Sequence, residues 1–308
     1  MKHYIDFHED VGIEELNYLL DIAADMKAKT KAGIEHHYLK GKSLGMIFSK
    51  SSTRTRVSFE VGMYQLGGQA LFLSSNDIQI GRGETIYDTA NVLSGMLDGI
   101  MIRTFSHQDV VDLAKYGSIP VINGLTDDQH PTQMLADLLT IKECKGELKG
   151  LKFAYVGDGN NMANSYLQAC AKAGMDCAIA SPASHTSPKK YYDQAMKDAA
   201  ITGSKILMTT DPWEAIKDAA IVCTDTWTSM GQEAEKSERI KIFKDYQVNK
   251  EIMATAKKDA IFLHCLPAYR GYEVTEDIID GPQSRVFQEA ENRLHAHKAI
   301  LVNCFLNN

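Results

Sequence analysis

The feature that most constrains this chain is a regular alternation of short apolar runs with longer segments of helical period. Apolar runs recur at 44–48, 70–73, 100–103 and 120–122, and again at 152–156, 177–180, 221–224 and 261–264. None of them alternates polar with apolar residues, which is the pattern of parallel strands buried on both faces. Between the runs, Leu16, Leu19, Leu20 and Ala23 share one helix face, and Val57, Val61 and Tyr64 share another. Strand and helix in repeated alternation predict an α/β fold with parallel sheets.

The polar stretch KGELKG at 145–150 separates a predicted helix over 131–144 from a fresh strand at 152. We therefore expect two domains, 1–147 and 148–308, each with a central, mostly parallel sheet flanked by helices. The active site is expected in the cleft between them. The segment at about 287–305 is helical in pattern and is expected to pack back on the first domain.

Composition narrows the function. The 308 residues hold 33 Lys plus Arg against 40 Asp plus Glu, a formal charge of -7, which disfavours nucleic-acid binding through a broad basic face. Positive charge for an anionic substrate would have to be local. No apolar stretch approaches the roughly 18 residues of a membrane span, and the first twenty residues lack the apolar core of a secretory signal. Six scattered cysteines form no C-x-x-C pair, so they read as reduced thiols. The expectation is a cytoplasmic protein with no nucleic-acid or membrane partner.

Several motifs fail on spacing. Gly41-Lys42-Ser43 resembles the end of a P-loop, but the first glycine of that motif would fall at His36, and a strand follows instead of a helix. Gly157 and Gly159 invite a dinucleotide reading, yet the third glycine would fall at Met162, and Ser181-Pro182 stands where a ribose-binding acid is expected. The pairs His36-His37 and His295/His297 lack Cys or acidic partners at ligand spacing and read as solvated or packed histidines, so no metal is expected.

Other motifs survive. Ser52-Thr53-Arg54-Thr55-Arg56 follows a predicted strand and opens a helix, where free backbone N–H groups and partial positive charge suit phosphate. Hydroxyls and guanidinium forks add charge-assisted hydrogen bonds. Arg103 ends a predicted strand, at the carboxyl edge where α/β folds bind ligands. His130-Pro131-Thr132-Gln133 begins a helix after another strand, and His264-Cys265-Leu266-Pro267 follows a third. Adjacent strand residues point to opposite faces, so His264 is not expected to activate the Cys265 thiol. The loop from Asp225 to Gly231 offers an acid and hydroxyls that could hold a zwitterionic amino acid.

S-T-R-T-R, H-P-T-Q, H-C-L-P and D-x-x-x-S-M-G, in this order, together resemble the aspartate/ornithine carbamoyltransferase family, the last motif resembling its ornithine-using branch. The resemblance runs along most of the chain. It implies transfer of the carbamoyl group of carbamoyl phosphate to the δ-amine of L-ornithine, giving citrulline and phosphate, in arginine biosynthesis. It also implies no cofactor, and a homotrimer with shared active sites. Carbamoyl phosphate would be held by Ser52, Thr53, Arg54, Thr55, Gln79, Arg103, His130 and Gln133, with Cys265, Leu266 and Arg293 closing from the second domain. Ornithine would be held by Asn161, Asp225, Ser229 and Met230, and Arg82 is a candidate for reaching a neighbouring subunit's site. Arg54, Arg103, His130 and Cys265 would carry the chemistry. Two alternatives stay open: putrescine as the acceptor, and a non-catalytic ligand-binding protein on the same scaffold.

Overall fold

The computed structural model describes residues 1–229 and 231–307. The chain divides into two compact units, one of Met1–Leu139 with Glu291–Asn308, the other of Thr140–Ala290. The first unit carries a sheet of β1 (Ser43–Phe48), β2 (Gln69–Ser74), β3 (Gly99–Arg103) and β4 (Val121–Leu125), in the order β2-β1-β3-β4. All of its pairings are parallel. Ile47, Ile100, Ile102 and Val121 build the core on one side of this sheet with Val110 and Leu113 of the helix His107–Tyr116. β2 is the exception to full burial, because it lies at the edge and leaves Leu71 and Phe72 exposed.

Helix starts in this unit are set by hydroxyl caps. Ser52, Thr85 and Ser106 each accept a hydrogen bond from the backbone N–H three residues on, satisfying a donor that the helix itself cannot.

The second unit carries β5 (Lys152–Val156), β6 (Asp176–Ala180), β7 (Ile206–Thr209), β8 (Ile221–Cys223) and β9 (Ile261–Leu263), in the order β7-β6-β5-β8-β9. These pairings too are all parallel. β7 escaped the sequence reading: it is a four-residue edge strand, only half-buried, and its short run Ile-Leu-Met-Thr gives little periodic signal.

The division between units falls inside the helix Pro131–Lys145, not in the polar stretch at 145–150. A continuous helix gives no compositional sign of such a division. From Glu291 onward, the residues of the C-terminal helix Val286–Leu306 belong to the first unit. Lys27 donates to Asn292 at 2.7 Å, Lys298 to Thr30 at 2.8 Å and Asn303 to Glu15 at 2.7 Å, tying this helix to Ile13–Lys31. Its end sits where Gly99 leaves room: a Cβ there would lie 2.5 Å from the Phe305 ring. Arg293 therefore belongs to the first unit, which corrects its expected assignment to the second.

Candidate active site

In the first sheet the strand order turns between β1 and β3, and ligands of open α/β sheets bind at the carboxyl edge of such a point. Phe48 pairs with Arg103 there, and Ser49 N–H donates to the Arg103 carbonyl at 2.8 Å. The Ser52–Thr55 loop and Arg103 thus leave the sheet side by side. The Ser52 hydroxyl accepts from Thr55 N–H at 3.1 Å, which opens the helix Thr53–Gln65. Thr53 is exposed, Arg54 half-buried and Thr55 fully buried. Arg56 turns aside: its guanidinium lies 3.8 Å from the Phe72 ring centre and pairs with Glu60 at 3.1 Å.

His130 is buried at the start of the helix Pro131–Lys145, with Thr132 Oγ1 3.3 Å from its Nδ1. Gln133, also buried, donates to Asp137 at 2.8 Å. From the C-terminal helix, Arg293 donates to Thr55 Oγ1 at 2.6 Å. Burial, and then the charges of Arg293 and Arg103, hold the His130 imidazole well below its usual basicity, with smaller contributions from His297 and Arg54. Three guanidinium groups thus act on one neutral imidazole. That is a local positive field on a chain of net charge -7, suited to a phosphate-bearing anion. Gln79 and Arg82 stand exposed on the turn Gln79–Arg82, where Arg82 donates to the Asn76 carbonyl at 3.1 Å.

In the second unit the order turns between β5 and β8, and the residues following those strands meet. Asn160 caps the helix Asn161–Ala173 with its side-chain oxygen and donates through its amide nitrogen to Asp225 Oδ2 at 2.8 Å. Cys265 Sγ donates to the other oxygen, Asp225 Oδ1, at 3.3 Å. Asn161 begins the helix, and Ser229 lies in a turn closed by its N–H to Gln232 Oε1 at 3.1 Å. Met230 lies outside the described residues. Leu266 adopts a left-handed φ of 57° that an apolar side chain rarely takes, and its N–H donates to His264 Nδ1 at 2.9 Å.

The expectation of opposite faces for His264 and Cys265 does not hold, because β9 stops at Leu263 and strand alternation ends with it. The ligand-type atoms of Asp225, His264 and Cys265 all lie within 4.8 Å of one another. His264 is nonetheless an anchor for its own loop: Nδ1 takes the Leu266 N–H, and Nε2 faces Glu273 at 3.4 Å.

The sequence reading passed over several contributors. Asn160, the neighbour of Asn161, donates to Asp225; the capping role of this asparagine was the available signal. Arg239 pairs with Asp158 and donates to the Trp227 carbonyl, linking the loop after β5 to the loop after β8. Burial raises the Asp158 carboxyl to about 6 despite that arginine. The second glycine of the failed dinucleotide motif has a steric role, since a Cβ on Gly159 would lie 2.2 Å from the Ser187 nitrogen.

Residues 2–143 match the aspartate/ornithine carbamoyltransferase carbamoyl-P binding domain, and residues 149–304 match the Asp/Orn binding domain of the same family. The chain belongs to the aspartate/ornithine carbamoyltransferase family. Within that family it is 59% identical over 302 residues to the ornithine carbamoyltransferase of Caldicellulosiruptor saccharolyticus, covering 98% of each chain. The structure of ornithine carbamoyltransferase from Pyrococcus furiosus is 52% identical and superposes with a TM-score of 0.94, covering 97% of this chain and 96% of that one. Anabolic ornithine carbamoyltransferase from Campylobacter jejuni is 45% identical with a TM-score of 0.93, covering 100% of this chain and 99% of that one. Among the described residues no helix is long and apolar enough to cross a membrane.

Proposed function

We propose that this protein is an ornithine carbamoyltransferase, passing the carbamoyl group of carbamoyl phosphate to the δ-amine of L-ornithine. The observation that carries this reading is the convergence of Arg54, Arg103 and Arg293 on a buried, neutral His130 beside a helix N-terminus. Carbamoyl phosphate is a mixed anhydride with a good leaving group, so catalysis consists of positioning and of stabilising negative charge as it develops. Ser52, Thr53, Arg54 and the backbone N–H groups of their turn bind the phosphoryl oxygens. Thr55, held by Arg293, polarises the carbamoyl oxygen together with Arg103 and His130. A neutral imidazole contributes one N–H to that oxygen without adding charge. Gln79, Gln133, Cys265 and Leu266 complete the carbamoyl phosphate contacts, and Asn161, Asp225, Ser229 and Met230 take ornithine.

In the reaction the ornithine nitrogen forms a bond to the carbamoyl carbon, the carbon–oxygen bond to phosphate breaks, and the amine releases a proton. An alkyl ammonium has a pKa of about 10.4, so near pH 7.4 roughly one amine in a thousand is neutral, a cost of about 4 kcal/mol. Orientation and desolvation next to Asp225 and Cys265 offset part of that cost.

We also propose a cytoplasmic homotrimer with shared sites, acting in arginine biosynthesis. Val57, Tyr64, Leu71 and Phe72 leave an exposed apolar surface on the first helix of the phosphate loop and on edge strand β2, which supports assembly. Light scattering should give about three times the 34.2 kDa chain mass.

The deciding experiment is citrulline formation from carbamoyl phosphate, with ornithine, putrescine and aspartate compared as acceptors. Strong preference for ornithine supports the reading. Preference for putrescine would overturn the role of the 225–231 loop, and carbamoyl phosphate binding without turnover would favour a binding protein.

A further inference from the structure

His297 is fully buried on the C-terminal helix, one turn beyond Arg293, and so shares its face. Its Nδ1 lies 2.8 Å from Ser58 Oγ, and its ring stacks on Phe59 at 4.1 Å with 22° between planes. Ser58 Oγ also lies 2.6 Å from the Arg54 carbonyl and 3.1 Å from that of Thr55. Carbonyls only accept, so the single hydroxyl proton of Ser58 goes to the Arg54 carbonyl, and His297 Nδ1 must be the donor to Ser58. Among the described residues His297 Nε2 has no hydrogen-bond partner, which fits the same tautomer, with a lone pair and not a proton on that atom. One face of the C-terminal helix therefore grips the first two turns of the Thr53–Gln65 helix, through Arg293 to Thr55 and through His297 to Ser58.

We infer that His297 is a positioning residue for carbamoyl phosphate: its Nδ1–H fixes the Ser58 hydroxyl on the Arg54 carbonyl and so sets the turn that presents Arg54 and Thr55. This rests on the reading of that turn as the carbamoyl phosphate site. Hydrogen bonds from Ser to the carbonyl four residues back bend a helix locally. Here that hydrogen bond spans the turn whose N–H groups and guanidinium would meet the substrate. Without the imidazole donor, the Ser58 hydroxyl is free to swing between the Arg54 and Thr55 carbonyls, and the turn loses its single arrangement.

Two substitutions separate this role from packing. His297→Asn places an amide nitrogen where Nδ1 stands but removes the ring stack; His297→Phe keeps a stacking ring and removes the donor. The measurement is the KM for each substrate, kcat and Tm, compared with the wild-type enzyme. His297→Phe should raise the KM for carbamoyl phosphate about tenfold, the worth of one well-placed hydrogen bond, with the KM for ornithine within about twofold. His297→Asn should restore the carbamoyl phosphate KM to within about threefold, even where it melts lower than His297→Phe. Affinity that follows Tm across the two variants, or a wild-type KM in His297→Phe, would overturn the inference. Should His297→Phe fail to fold, Ser58→Ala removes the acceptor instead; it should raise the same KM, and an unchanged KM refutes the role. A wild-type enzyme that neither turns over nor binds carbamoyl phosphate would remove the underlying site reading, and this inference with it.

Discussion

Cys265 and Asp225 meet at 3.3 Å, thiol to carboxylate, in the second unit, while the other Asp225 oxygen takes the Asn160 amide at 2.8 Å. Both oxygens are thus held from different loops before any substrate arrives. Cys265→Ser keeps a donor to Asp225 and should retain measurable turnover. Asp225→Ala should raise the KM for ornithine about tenfold or more and leave carbamoyl phosphate binding close to wild type. Complete loss of turnover in a folded Cys265→Ser enzyme would point to a covalent cysteine.

Arg54→Ala removes a guanidinium from the group acting on His130. It should lower kcat/KM by on the order of a hundredfold to a thousandfold, the usual cost of deleting one donor to developing charge. Steady-state kinetics decide this, and a loss under threefold would mean the phosphate lies elsewhere.

The pH profile of turnover should carry no His130 inflection between pH 6 and 9, because burial and the neighbouring arginines keep that imidazole neutral throughout. Activity with ornithine should climb above neutrality as more of the amine loses its proton. A flat profile, with chemistry shown to limit the rate, contradicts this.

Acid should weaken the fold in a definite window. His295 is held down to about 4, chiefly by burial and then by Lys298. Between the ordinary histidine value near 6.5 and that point, the unfolded chain binds a proton that the folded chain does not. The stability that His295 contributes is full above about pH 6.5 and drains away as pH falls toward 4. Urea denaturation at pH 7, 6 and 5 should show this slope, and His295→Leu should make it shallower.

Lys298 gives a slope of the same sign on the alkaline side. Its amine is buried against Thr30, Gln65 and His36, and burial lowers it to about 8. Above that value the unfolded state holds the extra proton, so wild-type stability should gain on Lys298→Met between about pH 8 and 10. An unchanged difference would mean that the folded amine titrates normally.

The sequence carried the strand count almost completely, because fully buried parallel strands such as β3 and β5 are written as unbroken apolar runs. Edge strand β7 has no such run and stayed hidden. At the candidate site, Ser52, Arg54 and Arg103 were legible because loop chemistry follows a strand directly. Their partners were not: Ser58 and His297 lie 239 positions apart, and no local pattern joins them. Arg56 shows the opposite error, a guanidinium in a binding motif that the fold turns onto Phe72.

The C-terminal helix has a consequence for biogenesis. The unit that begins at Met1 is completed only by residues from Glu291 onward, so the first domain to be synthesised is the last to be finished. At about 5–20 residues per second, the wait while Thr140–Ala290 is made lasts on the order of ten to thirty seconds. Throughout that interval the nascent first domain lacks Arg293, and the seat beside Gly99 that Phe305 will fill stands open. A chain cut short just before Glu291 would carry the whole second unit while its first unit stayed unfinished.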